Sequence, residues 1–160
     1  MDFRANEIII VDGLKRHLST DKTPCEVVMQ NQVEHIPPYP YVSYTITMPM
    51  NNPRGTYCEA EDGTLYRDML QTWSFTVQSY DYDEALQIGI KIVDYFSAVG
   101  LLYLSDKNIT VRNITSLTSR DNLLSIQYEY RNGLDVTFGL THVIEPLNNG
   151  TIETIEIKEV

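Results

Sequence analysis

Residues 69–100, which read MLQTWSFTVQSYDYDEALQIGIKIVDYFSAVG, decide the fold of this chain. In the first third of this stretch, apolar and polar side chains alternate. A period of two is typical of a β-strand with one buried face. Three other segments, 41–48, 122–130 and 134–140, alternate in the same way. The predicted apolar positions are Val42, Tyr44, Ile46, Met48, Trp73, Phe75, Val77, Leu124, Ile126, Tyr128, Tyr130, Leu134, Val136, Phe138 and Leu140.

The rest of the opening stretch predicts a helix over residues 82–99. Asp81 is a candidate N-cap, and Glu84 follows three residues later as in a capping box. Gly100 suits the position just after a helix end. The apolar side chains recur at helical spacing at Ala85, Ile88, Ile92, Phe96 and Val99.

The remaining elements are shorter or less regular. A first amphipathic helix is predicted over residues 4–19, with an apolar stripe of Ile8, Val11 and Leu18 flanked by Ile10 and Leu14. A short strand is expected at 26–32, and another at 109–118 that pairs with 122–130. Arg131-Asn132-Gly133 carries the Asn-Gly signal of a tight hairpin turn and should join the last two strands.

These elements predict an α+β fold: a two-layer sandwich in which a mostly antiparallel β-sheet carries two helices packed on one face. The expected organisation is one domain over residues 1–147, followed by a strand-like C-terminal extension over 148–160.

Composition excludes several classes of function. The 160 residues carry a net charge of −10, and both halves of the chain are acidic, so no basic patch is available to neutralise nucleic-acid phosphates. No apolar run has the length of a membrane span, and the N-terminus lacks the apolar core of a signal peptide. Cys25 and Cys58 are expected to be free thiols.

Motifs of catalysis and metal binding are missing from the sequence. His17, His35 and His142 are not spaced as metal ligands, and no nucleophile elbow or phosphate-binding loop occurs. We therefore expect no catalytic residue, no metal site and no cofactor. Two alternatives stay open: a metal-dependent enzyme that uses Glu59, Glu61 and Asp62, and a small-ligand module that uses Tyr39, Tyr41 and Tyr57.

Three features point to contacts between proteins. The outward face of the sheet is polar but poor in charge, which suits a channel lining or a subunit contact as well as simple strand propensity. The excursion over 49–68 is long enough to be functional. The tail after Gly150 alternates like a strand that needs a partner. The candidate interface residues in the excursion and the tail are Tyr57, Leu65, Tyr66, Ile155 and Ile157.

Several strings resemble the phage neck/tail terminator family. They are the segments 39–44, 73–77, 83–85, 120–122 and 128–136. The last, Tyr-Glu-Tyr-Arg-Asn-Gly-Leu-Asp-Val, is the most specific of them, although Leu134 stands where phenylalanine is expected. The resemblance covers roughly residues 36–140 and does not reach the first helix or the tail.

The resemblance implies a structural virion protein and no catalysis. The family implies a ring, commonly hexameric, that is assembled in the bacterial host cytoplasm. The ring caps the tail tube, stops its polymerisation and joins the tail to the head connector, and DNA passes through without specific binding. Another head–tail joining protein or a tail-tube subunit is the alternative within the same class.

Overall fold

The computed structural model describes residues 3–19, 24–30, 35–51, 56–124 and 127–145, with the backbone alone at 122–124 and 127. Its elements follow in chain order: α1 Phe3–Leu18, β1 Glu26–Met29, β2 Tyr41–Asn51, β3 Cys58–Glu59, β4 Leu65–Ser79, α2 Tyr82–Asp94, a π-helical turn Tyr95–Val99, α3 Leu101–Ser105, β5 Thr110–Ile114, β6 Thr118–Ser119, β7 Asn122–Leu124 and β8 Gln127–Ile144.

One sheet carries the fold. Its strand order is β1-β2-β4-β8-β5, while β3 pairs with β4, and β6 and β7 pair with β8. Among the described strands, β1 and β2 form the single parallel pair. β4 and β8 are paired from Leu65 opposite Ile144 to Ser79 opposite Tyr130, so β4 has a partner along its full length. The predicted α+β fold with a mostly antiparallel sheet is confirmed.

The core lies between one face of the sheet and the helices. Phe96 is fully buried, with its ring centroid 5.2 Å from that of Phe75 on β4 and 5.4 Å from that of Phe138 on β8. The predicted apolar positions of β4 and of the second half of β8 are all buried. In α1 the buried apolar side chains are Ile10, Leu14 and Leu18, whereas Ile8, predicted to lie in the stripe, is 51% exposed.

The start of α2 confirms the predicted N-cap. The Asp81 carboxylate accepts a hydrogen bond of 2.9 Å from the Glu84 backbone N–H. The Ser79 hydroxyl donates to the Glu84 carboxylate at 2.5 Å and accepts from the Asp81 N–H at 3.0 Å. Ser79 therefore relays the second bond of the capping box, which normally runs directly between the two capping residues.

The end of this helix differs from the prediction. Gly100 has φ −86° and ψ −9°, so it is not the left-handed residue of a helix end, and the chain continues into α3. Glycine is required there because a Cβ would lie 2.6 Å from the Tyr95 ring.

The predicted hairpin at Arg131-Asn132-Gly133 is wrong. β8 runs straight through these residues, with Asn132 opposite Val77 and Gly133 opposite Thr76. Neither residue has the positive φ that a type I′ turn needs. β4 pairs with the residues of β8 before and after Asn132-Gly133. Continued pairing with β4 therefore outweighs the local preference of these two residues for a turn. Leu124 of β7 instead faces Gln127 of β8, and residues 125 and 126 lie outside the described part.

Two further predictions about pairing are wrong. The segment 109–118 forms β5 and β6, which pair with β8 at 136–139 and 132–133, not with 122–130. A register shift after Ile46 places Met48 opposite Thr72, so Met48 lies on the polar face and not on the apolar one. Alternation cannot reveal such a bulge, because one extra residue reverses the faces of the strand.

The buried aromatic cluster generates a prediction about stability. Phe96→Ala should lower the free energy of unfolding by about 3–5 kcal/mol, because it removes a fully buried ring between two others. Val99→Ala, at a side chain that is 62% exposed, is the control and should change it by less than about 0.5 kcal/mol. Urea unfolding followed by circular dichroism measures both, and equal losses would contradict the assigned packing.

Two buried tyrosines predict a pH dependence. Burial raises the pKa of Tyr95 to about 12, and its hydroxyl has no hydrogen-bond partner among the described residues. Burial and the hydrogen bond to Glu7 (2.6 Å) raise the pKa of Tyr44. Since the fold holds both phenols protonated, their contribution is complete below the unfolded pKa of about 10 and is lost as pH rises above it.

Tyr95→Phe should therefore leave stability at pH 7 unchanged or raise it, because it removes an unpaired buried hydroxyl. It should also reduce the loss of stability between pH 10 and about 12. Tyr44→Phe, the matched variant, should lose about 1 kcal/mol at pH 7. Urea midpoints across this pH range test the pair, and a destabilised Tyr95→Phe protein at pH 7 would count against the buried, unpaired hydroxyl.

Candidate assembly surfaces

An arm extends the sheet past β5. We define the arm as residues 65–69 of β4 and 140–144 of β8, with β3 alongside. Because β5 begins at Thr110 opposite Gly139, the β8 half of the arm is paired only with β4 among the described residues. The predicted excursion over 49–68 is therefore shorter than expected: residues 65–68 belong to β4, and residues 52–64 contain β3.

The centre of the arm is an arginine. Arg67 is only 6% exposed, and its guanidinium carbon lies 4.9 Å from the centroid of the Tyr57 ring. Its Nη2 atom lies 3.5 Å from the Met50 sulfur. Tyr57 thus covers a buried cation, which explains why the chain before β3 is held against the sheet.

The predicted interface residues have different environments. Leu65 is half-buried and Tyr66, next to it on β4, is 38% exposed; successive side chains of a strand point to opposite faces. Tyr57 is half-buried and packs on Arg67. The structure thus places these three residues at the same end of the sheet, with Tyr66 on the face opposite to Leu65, while Ile155 and Ile157 lie outside the described residues. Tyr66 is the member of the set that offers exposed aromatic surface.

The polar face of the sheet carries an arginine that the alternation pattern did not reveal. Arg120, between β6 and β7, donates to the hydroxyls of Ser74 (2.7 Å) and Thr76 (3.1 Å) and to the Asp135 carboxylate (3.1 Å). Gly133 makes this possible, because a Cβ there would lie 2.7 Å from the Arg120 side chain. The face expected to be poor in charge is therefore crossed by an ion pair.

A second group on this face surrounds a buried carboxylate. The Glu129 side chain is 2% exposed, accepts from the Tyr39 hydroxyl at 2.5 Å and pairs with Arg131 at 2.5 Å. The Tyr39 ring also packs on Tyr41 and Tyr80, with centroids 5.2 and 4.1 Å away. Burial, then the bond to Glu129, raises the pKa of Tyr39. The Glu-x-Arg spacing places both charges on one face, but nothing local in the sequence brings Tyr39 to them.

This geometry separates the three tyrosines of the small-ligand alternative. Tyr41 lies opposite Gln78, whereas Tyr57 packs on Arg67 of the same strand. The strand rise places these two ends of β4 roughly 35 Å apart. A cleft of about 550 Å³, which includes open solvent, adjoins Tyr41, Ser43, Gln78 and Arg131.

The acidic residues of the metal alternative are not gathered into a site. The Asp62 carboxylate accepts from the Thr64 N–H at 2.9 Å, and that bond is the main cause of its lowered pKa. Glu59 is exposed on β3. Within the described ranges, no group of three or more His, Cys, Asp or Glu residues is placed to hold a metal ion. His17 packs on Tyr95 with a centroid distance of 5.2 Å, whereas His142 lies on β8.

The helical layer exposes an apolar tip. Val99 and Leu102 are 62% and 80% exposed on either side of Gly100.

None of the described helices is long and apolar enough to cross a membrane.

Comparison with known protein families places the chain among structural proteins of the phage virion, since the matching family model covers residues 9–160. That family is the phage neck terminator protein, and the chain belongs to it. No curated protein matches the chain. The family match reaches from α1 to the C-terminus, further than the strings that resembled the family in the sequence.

The polar face yields a double-mutant prediction. Gly133→Ala should lower the free energy of unfolding by about 1–3 kcal/mol, because the new methyl group displaces Arg120 from its three partners. In an Arg120→Ala background the same change should be neutral or stabilising, since alanine suits a strand better than glycine. Urea unfolding of the four proteins gives the coupling, and additive effects would rule out the proposed contact.

Proposed function

We propose that the chain forms a ring, commonly hexameric in such proteins, that caps the tail tube, stops its polymerisation and joins the tail to the head connector. The observation that carries this proposal is membership of the neck terminator family over residues 9–160. The ring is assembled in the cytoplasm of the bacterial host and remains in the virion neck. No catalytic step, metal or cofactor forms part of this function.

The arm supports a contact between subunits. Tyr66 and Ile144 stand at its outer end, 38% and 39% exposed, on the part of the sheet that lies beyond β5. Exposed aromatic and aliphatic side chains on a rigid element are the usual anchors of protein interfaces. We place Leu65, Tyr66 and the neighbouring Tyr57 in the interface between subunits or between the ring and a virion partner.

Charge supports the passage of DNA without specific binding. The net charge of −10 opposes retention of a polyanion. On the polar face, Arg120 and Arg131 are already engaged by Asp135 and Glu129, which leaves these two cations less able to hold phosphates. This arrangement suits a surface along which DNA slides.

The solution mass of the purified chain tests the ring. We expect a closed oligomer with a mass near six times the 18.4 kDa chain by light scattering, and a ring in electron micrographs. A monomer at all concentrations would contradict the proposal, whereas long open tubes would favour the alternative of a tail-tube subunit. Added to the polymerising tube protein of its own phage, the ring should shorten the tubes; another head–tail joining protein should leave their length unchanged.

A matched pair of variants tests the arm. Tyr66→Ser should weaken assembly by about tenfold or more, as expected when an aromatic anchor worth about 1.4 kcal/mol or more is removed. Tyr82→Ser, at a tyrosine of α2 that is more exposed than Tyr66 (54% against 38%), should not. Light scattering over a dilution series measures the midpoint of dissociation. Equal effects of the two variants, or none, would remove Tyr66 from the interface.

A further inference from the structure

Among the described residues, the β8 side of the arm has no neighbouring strand. Beyond Gly139, the point at which β5 begins its pairing, no described residue pairs with the outer side of residues 140–144. No turn or loop of the described chain forms a backbone hydrogen bond with these residues either. An edge about 17 Å long therefore presents N–H and C=O groups at alternate residues, which is a template for another strand.

The C-terminal segment supplies a strand of the right length and pattern. Described structure ends at Glu145, and fifteen residues, 146–160, follow. Within them, Ile155 and Ile157 alternate with Thr154, Glu156 and Lys158. These five residues match the five of the open edge. The family match extends through residue 160, so the tail is a regular part of this kind of protein.

The tail fits its own edge poorly. If it turned back as a hairpin with the usual loop of two to five residues, Leu140 would oppose a residue between 151 and 154. Pairing would then stop, because Thr110 already occupies the position next to Gly139. Ile157 would have no partner. On the edge of another subunit the register is not tied to the turn, and residues 154–158 can align with all of 140–144.

We propose that residues 154–158 of one copy add as a strand to residues 140–144 of a neighbouring copy. This inference rests on the proposed ring and names one of the contacts that closes it. The strand completes the sheet by β-augmentation, with main-chain bonds for affinity and the two isoleucines for register. Fifteen residues span up to about 50 Å when extended, which is ample for reaching an adjacent subunit.

Cysteine cross-linking in the full-length protein tests the proposal. In a Cys58→Ser background, which keeps only the buried Cys25, Thr141→Cys protein is co-expressed with a differently tagged protein that carries one added cysteine at position 154, 155, 156 or 157. We expect disulfides between the two tagged chains at alternate tail positions. They should form at least about tenfold faster than with a control protein whose cysteine lies away from the edge, since docking raises the effective thiol concentration. That control is Ser97→Cys, exposed on the helical layer.

Two results would overturn the proposal. One is the absence of any cross-link above the Ser97→Cys control at all four tail positions. The other is a disulfide that forms only within a single Thr141→Cys/Ile155→Cys chain, which would show that the tail returns to its own sheet. The mass of the same samples separates this inference from the proposed function. A ring without the cross-link leaves the ring proposal standing, and a cross-linked protein that never closes into a ring contradicts the ring alone.

Discussion

The antiparallel pairing of β4 with β8 is the constraint on which the rest of this structure depends. It runs from Leu65 opposite Ile144 to Ser79 opposite Tyr130 without interruption. A pairing of this length fixes which side chains face the helices, because any slip by one residue would turn Trp73, Phe75 and Phe138 into water. The helices then need only cover an apolar face that the two strands have already defined. Because the β4–β8 pairing is so long, both strands extend beyond β5, and this extension is the arm.

The face of β4 and β8 opposite to the helices is polar, and charged side chains pack across it. Gly133 and Gly139 interrupt the side chains of β8, and Arg120 and Arg112 cross the strand at these two places. Arg120 then finds Asp135 and two hydroxyls, while Glu129 is buried beneath Tyr39 and Arg131. Each carboxylate here has a cation or a phenol at hydrogen-bond distance, so its burial is tolerated. The polar face is thus covered by packed and paired charged side chains.

Sequence patterns predicted the features that depend on local period. Alternation located the buried side chains of β4 and of the second half of β8, and Asp81 marked the start of α2 correctly. In the first half of β8 it failed, because Tyr128 is 43% exposed and Glu129 is buried. The predictions failed where the local structure is determined by residues that are distant in the sequence. Asn132-Gly133 prefers a turn in isolation, but β4 holds it in a strand. The bulge after Ile46 and the approach of Tyr39 to Glu129 depend on register and on chain path, neither of which leaves a periodic signal. The candidate interface residues Tyr57, Leu65 and Tyr66 were selected from the sequence because they lie in a long connection between two strands. Which of them has exposed surface became clear only from the pairing of β3 with β4.

The edge that the described residues leave unpaired is consistent with a structural protein of the phage neck. A monomeric protein that kept four or five unpaired residues at a sheet edge would be prone to indiscriminate pairing, and natural edges are usually blunted by charge or by a covering element. Here the edge is short, His142 lies within it, and Arg67 lies opposite on β4. The tail that we assign to it carries glutamates at 153, 156 and 159. Tails of like charge repel one another. That repulsion disfavours pairing of tail with tail and leaves the edge of the arm as the partner that we propose.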